Sequence, residues 1–107
     1  MKNLTPFELA AWLVDSLRLQ PVLLDVREDW EFQAGHIDGS VLIPMNTIPD
    51  RLSELDRQQP IVCICHHGAR STQVALFLEQ NGFTETRNLT GGVHAWSQQV
   101  DSALPMY

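Results

Sequence analysis

The chain has 107 residues, 44% hydrophobic and 19% charged, which reads as one globular domain spanning residues 1–107 with an ordinary core. A chain of this size buries roughly 60–70% of its unfolded surface, so neither metal nor disulfide is required to hold it. The formal net charge of -6, without a run of basic residues, argues against nucleic acid or an anionic membrane as a main partner.

Residues 7–17 are moderately apolar but carry Glu8 and Asp15, and no small-residue cleavage site follows, which argues against a secretory signal. The apolar runs are too short to span a membrane. Cys63 and Cys65 sit one residue apart; they are expected on opposite faces of a strand, and a bridge between next-but-one neighbours is strained. The expected compartment is therefore the reducing cytoplasm.

The first element is a helix with Thr5 as N-cap, Pro6 at N1 and Glu8 at N3, a capping box. Leu9, Trp12, Leu13 and Leu17 give it one apolar face through about residue 17. Residues 22–26 read as a buried strand, and residues 29–34 as a short helix stopped by Gly35. A second strand covers 41–43, a short helix lies near 47–55, and 61–64 form a third strand. A helix over 71–80, a strand near 86–89, and a closing helix after Gly91 and Gly92 complete the pattern. Strands alternating with helices imply a parallel sheet covered by helices on both faces.

In open sheets of this kind ligands bind at the carboxyl ends of the strands. Cys65 stands there, after a buried strand and before a helix whose N-terminus offers free N–H groups and partial positive charge. Gly68 lets the loop close so that successive N–H groups form an anion-binding nest, and a thiol held there is favoured as thiolate. Arg70 adds a permanent charge at the end of the loop. Cys63, inside the strand, is read as core. No metal site is expected, because His36 and His94 are singletons far from the adjacent His66 and His67.

The segment Cys65-His66-His67-Gly68-Ala69-Arg70-Ser71 resembles the active-site loop of single-domain rhodanese-like sulfurtransferases. Asp25-Val26-Arg27 with Glu31-Phe32 and Gly35-His36-Ile37, and Leu89-x-Gly91-Gly92-Val93-x-Ala95-Trp96, resemble the family's flanking signatures in the same order. The resemblance implies a three-layer α/β/α domain with a mostly parallel sheet of about five strands. It also implies that Cys65 takes sulfane sulfur from thiosulfate or a persulfide, holds it as a persulfide and passes it to a thiol or protein acceptor. The N–H groups of His66, His67, Gly68, Ala69, Arg70 and Ser71 would stabilise the anionic sulfur. No cofactor is implied, and the chain is expected to be a monomer or weak homodimer.

Two other readings compete. Rhodanese-like domains also occur as non-catalytic interaction modules, against which Cys65, Gly68 and Arg70 stand. Related phosphatases and arsenate reductases share the fold, but the phosphatases use Cys-x5-Arg; Cys65 to Arg70 is one residue shorter and suits a single sulfur atom. Two-domain thiosulfate rhodaneses carry basic residues where this chain has His66, His67 and Glu31, so thiosulfate is expected to be an assay donor rather than the natural one. Asp25 and Arg27 either touch substrate or brace the loop with Glu31 or His36, the brace being favoured. His36 is expected to bond backbone, Trp12 and Trp96 to be core, Trp30 to be partly exposed, and the tail over 102–107 to be extended.

Overall fold

The computed structural model describes residues 1–105. In chain order the elements are β1 (Lys2–Leu4), α1 (Pro6–Leu13), β2 (Val22–Asp25), α2 (Asp29–Ala34) and β3 (Val41–Leu42). Two 3-10 segments, Met45–Asp50 and Leu52–Glu54, precede β4 (Ile61–Ile64), α3 (Ala69–Gln80), β5 (Thr86–Leu89) and α4 (Gly92–Gln99). The five strands form one parallel sheet in the order β1-β5-β4-β2-β3. Among the described residues, no helix is long and apolar enough to cross a membrane.

β4 lies between β2 and β5 and is buried along its whole length, which is why it is apolar at every position. Its side chains alternate between two cores. Ile61 and Cys63 join Leu24, Val74, Ala75 and Leu78 under α3, while Val62 and Ile64 join Leu9, Trp12, Val93 and Trp96 under α1 and α4. The helix layers on both sides are therefore present as expected. Cys63 and Cys65 fall in the same cluster, not on opposite faces, because residues i and i+2 of a strand share a side. Both are free.

Three local readings are corrected. β1 gave no signal in the sequence, being three largely polar residues at the sheet edge, where it pairs with β5 from Lys2↔Arg87 to Leu4↔Leu89. α1 has its capping box but stops at Leu13 rather than near residue 17. The Asp15 carboxylate accepts from Leu17 N–H at 3.0 Å and turns the chain, leaving Leu17 95% exposed. The chain then folds back so that Trp12 Nε1 donates to the Leu19 carbonyl at 3.0 Å. Third, the tail turns instead of extending: Leu104 N–H bonds the Asp101 carbonyl at 3.1 Å, and the Ser97 hydroxyl donates to the Leu104 carbonyl. Residues 106–107 lie outside the described residues.

The end of β2 is held by a buried ion pair. Asp25 and Arg27 are both 0% exposed, with Arg27 Nε 2.9 Å from Asp25 Oδ1 and Nη2 2.8 Å from Oδ2. Arg27 Nη2 also donates to the Gly35 carbonyl at 2.8 Å, tying β2 to the end of α2. This is the brace reading of Asp25 and Arg27, with Gly35 as the third party in place of His36. His36 Nδ1 instead lies 2.9 Å from the Phe32 carbonyl. Replacing Arg27 by Met leaves the Asp25 carboxylate buried without its partner, and stability should fall by about 3–5 kcal/mol in urea unfolding. The Asp25→Asn, Arg27→Met double variant should recover part of that loss.

Candidate active site

Cys65 follows β4 directly and is 1% exposed. Gly68 takes φ 107°, a left-handed backbone that turns the chain from the strand into α3. The turn aims the Gly68 N–H at Cys65 Sγ, 3.0 Å away. Ala69, Arg70 and Ser71 form the first turn of α3, whose N–H groups lack acceptors within the helix. A sulfur at this point faces the positive end of a 12-residue helix.

A second donor comes from a side chain that sequence reasoning used only for its backbone. The Ser71 hydroxyl lies 3.2 Å from Cys65 Sγ and also against Asn88 Oδ1 on β5. Asn88 Nδ2 in turn donates to Asn3 Oδ1 at 3.1 Å. The hydroxyl has one proton, and negative charge on Sγ draws it to the sulfur. Asn88 and Asn3 were missed, though a polar residue at a strand position that proves 4% exposed is a signal in itself.

Arg70 does not supply the free cation expected of it. Its guanidinium grips Glu31 with two bonds, Nη1 to Oε1 at 2.8 Å and Nη2 to Oε2 at 2.9 Å. Glu31 is 5% exposed at the base of α2, so the pair joins α2 to α3 across the site. The Arg70 hydrogen bonds, against an opposing desolvation, hold the Glu31 carboxyl down at about 2. The pair is electrically neutral as a unit. N–H dipoles and the Ser71 hydroxyl add to what field Arg70 leaves at the sulfur.

α4 closes the site from the other side. Val93 N–H donates to the Cys65 carbonyl at 2.9 Å and His94 N–H to the His66 carbonyl at 3.1 Å. This docking turns both carbonyls away towards α4. It also brings His94 to His66 and His67, correcting the view of His94 as a singleton: ring centroids are 3.9 Å apart for His66–His67 and 4.8 Å for His67–His94. Partial desolvation, then the proximity of His66 and His94, keep the His67 pKa below its ordinary value. Cys63 is unreactive by contrast, its thiol pushed up to about 12 by burial and by the neighbouring Cys65. Trp12 and Trp96 are core, and Trp30 is 64% exposed.

Residues 8–99 match the profile of the rhodanese-like domain. The chain belongs to this family. A rhodanese-like domain protein from Staphylococcus aureus superposes with a TM-score of 0.84 at 39% identity, covering 100% of this chain and 99% of that one. The thiosulfate sulfurtransferase GlpE of Stutzerimonas stutzeri is 35% identical over 76% of this chain and 74% of its own length. The probable adenylyltransferase/sulfurtransferase MoeZ of Mycobacterium tuberculosis is 35% identical over 98% of this chain. The chain spans only 27% of MoeZ, about a quarter of that protein. Several of the relatives are named sulfurtransferases.

Two measurements test this rhodanese site. Ser71→Ala removes a hydroxyl donor from the Cys65 sulfur, and alkylation of Cys65 by iodoacetamide at fixed pH should slow roughly tenfold. Glu31 has a folded pKa of about 2 against an ordinary 4.5. Stability from its ionised form is thus complete above that ordinary value and is lost as pH falls from it towards about 2. Carboxyl NMR titration should find Glu31 still ionised at pH 3, and Arg70→Met should return its midpoint towards 4.5.

Proposed function

We propose that Cys65 is the nucleophile of a persulfide relay. Its thiolate attacks the outer sulfur of a donor; the S–S bond of the donor breaks, the donor leaves as an anion, and Cys65 carries the transferred sulfur. An acceptor thiolate or cyanide then attacks that outer sulfur and releases the Cys65 thiolate. The observation that carries this reading is the pair of donors on one buried sulfur, Gly68 N–H and the Ser71 hydroxyl. They stabilise charge on the attacking thiolate and on the thiolate leaving in the second step.

The same geometry disfavours phosphoryl chemistry. Arg70, the residue at the end of the short loop, is paired with Glu31, which lowers the net charge it offers a phosphoryl dianion. No Asp or Glu stands in the loop to protonate a leaving group. Thiosulfate, a dianion, meets a weak field, since the Glu31–Arg70 pair is neutral and His67 is held towards its uncharged form. A small-molecule or protein persulfide is the better natural donor, and a thiol or protein the acceptor. The non-catalytic module is disfavoured by a Cys65 that keeps both donors.

Incubation with glutathione persulfide should add one sulfur atom to the intact mass of the wild type and none to Cys65→Ser. Cyanide or reductant should remove it, and the second-order rate of loading should exceed that with thiosulfate. Equal masses and equal thiocyanate formation for both proteins would sink the proposal.

A further inference from the structure

The imidazole rings of His66, His67 and His94 carry out no step of the persulfide relay, yet the fold brings all three together. His66 and His67 follow Cys65 in the loop, while His94 sits on α4, 27 or more residues away in sequence. The His94 N–H to His66 carbonyl bond at 3.1 Å locks the two backbones together at this point. One ring nitrogen from each of the three lies within 4.8 Å of the others. His67 is exposed and the other two half-buried, so the group opens to solvent on one side.

We propose that these three imidazoles form a binding site for a divalent transition ion of the Zn2+ class, with a fourth position left for water or a sulfur anion. Three protein imidazoles with an open position are an established zinc environment. Zn–N bonds of about 2.0–2.1 Å set tetrahedral donors roughly 3.4 Å apart. The widest pair must therefore close by somewhat more than an ångström. The His66 and His94 ring centroids, 6.0 Å apart, are the most separated of the three, so rotation of those half-buried rings, with the exposed His67 following, supplies that movement. Imidazole nitrogen suits Zn2+, Cu2+ and Ni2+, and the acidic chain, at a net charge of -6, favours a cation over an anion at this rim. Cys65 is not part of the ligand set: its Sγ is 1% exposed and already faces Gly68 and Ser71.

The test is equilibrium dialysis of the untagged protein against Zn2+ alone, independent of any sulfur transfer. Wild type and Cys65→Ser should each bind one ion with similar affinity. His94→Ala and His67→Ala should each weaken it at least the roughly tenfold that even an outer-shell partner of a metal site costs. His67 is exposed, so His67→Ala keeps the test open should His94→Ala fold poorly. Co2+ in place of Zn2+ should give visible ligand-field bands without a thiolate charge-transfer band. Absence of saturable binding, binding unchanged in both histidine variants, or binding lost in Cys65→Ser would each overturn the site. Because Cys65→Ser abolishes the relay but keeps the ion, failure of one proposal is separable from failure of the other.

Discussion

The close approach of α4 to the Cys65 loop is the constraint on which the rest of the site depends. A Cβ at Gly92 would come within 2.3 Å of the Cys65 carbonyl oxygen and 2.4 Å of the His66 carbonyl oxygen, both backbone atoms that cannot yield. Gly92 also takes φ 60°, so the position is reserved for glycine twice over. With α4 this near, Val93 and His94 N–H groups accept the task of satisfying the loop carbonyls. Carbonyl dipoles bound there do not point at the sulfur, and the N–H side of the loop is left to it. One contact between backbones thus sets the sign of the field at Cys65.

Charge around that loop is arranged to hold shape more than to attract an anion. Asp25–Arg27 ties β2 to the end of α2, and Glu31–Arg70 ties the start of α2 to α3. Two arginines that resemble substrate ligands in a linear reading are each matched by a carboxylate. A buried pair such as Asp25–Arg27 adds little net stability over apolar replacements, but breaking it strands a charge. Their value here is positional: α2, β2 and α3 meet around Cys65 and cannot shift separately. The weak net field that results is what distinguishes the proposed persulfide donor from thiosulfate.

Much of this was legible in the sequence because it rests on local chemistry. The Thr5–Glu8 capping box, the apolar run of β4, the closing of the loop at Gly68 and the position of Cys65 all follow from neighbouring residues. The same holds for Cys63 as core and for the Asp25–Arg27 brace, two residues apart at the end of β2. β1 was invisible because an edge strand of three residues, two of them polar, has no period to read. α1 ended early because the Asp15 carboxylate takes the Leu17 N–H and turns the chain, an outcome that apolar spacing does not encode.

What only the tertiary structure decided involves residues far apart in sequence. Glu31 and Arg70 are separated by 39 positions, and nothing local says that the loop cation is neutralised. Ser71, Asn88 and Asn3 form a chain of hydrogen bonds across α3, β5 and β1, which exists only because those strands are neighbours. His94 joins His66 and His67 because Gly92 lets α4 press against the loop. By itself, the sequence determined that Cys65 ends a buried strand in a tight glycine turn. The fold decided which groups face its sulfur, since electrostatics depends on distance in space and not along the chain.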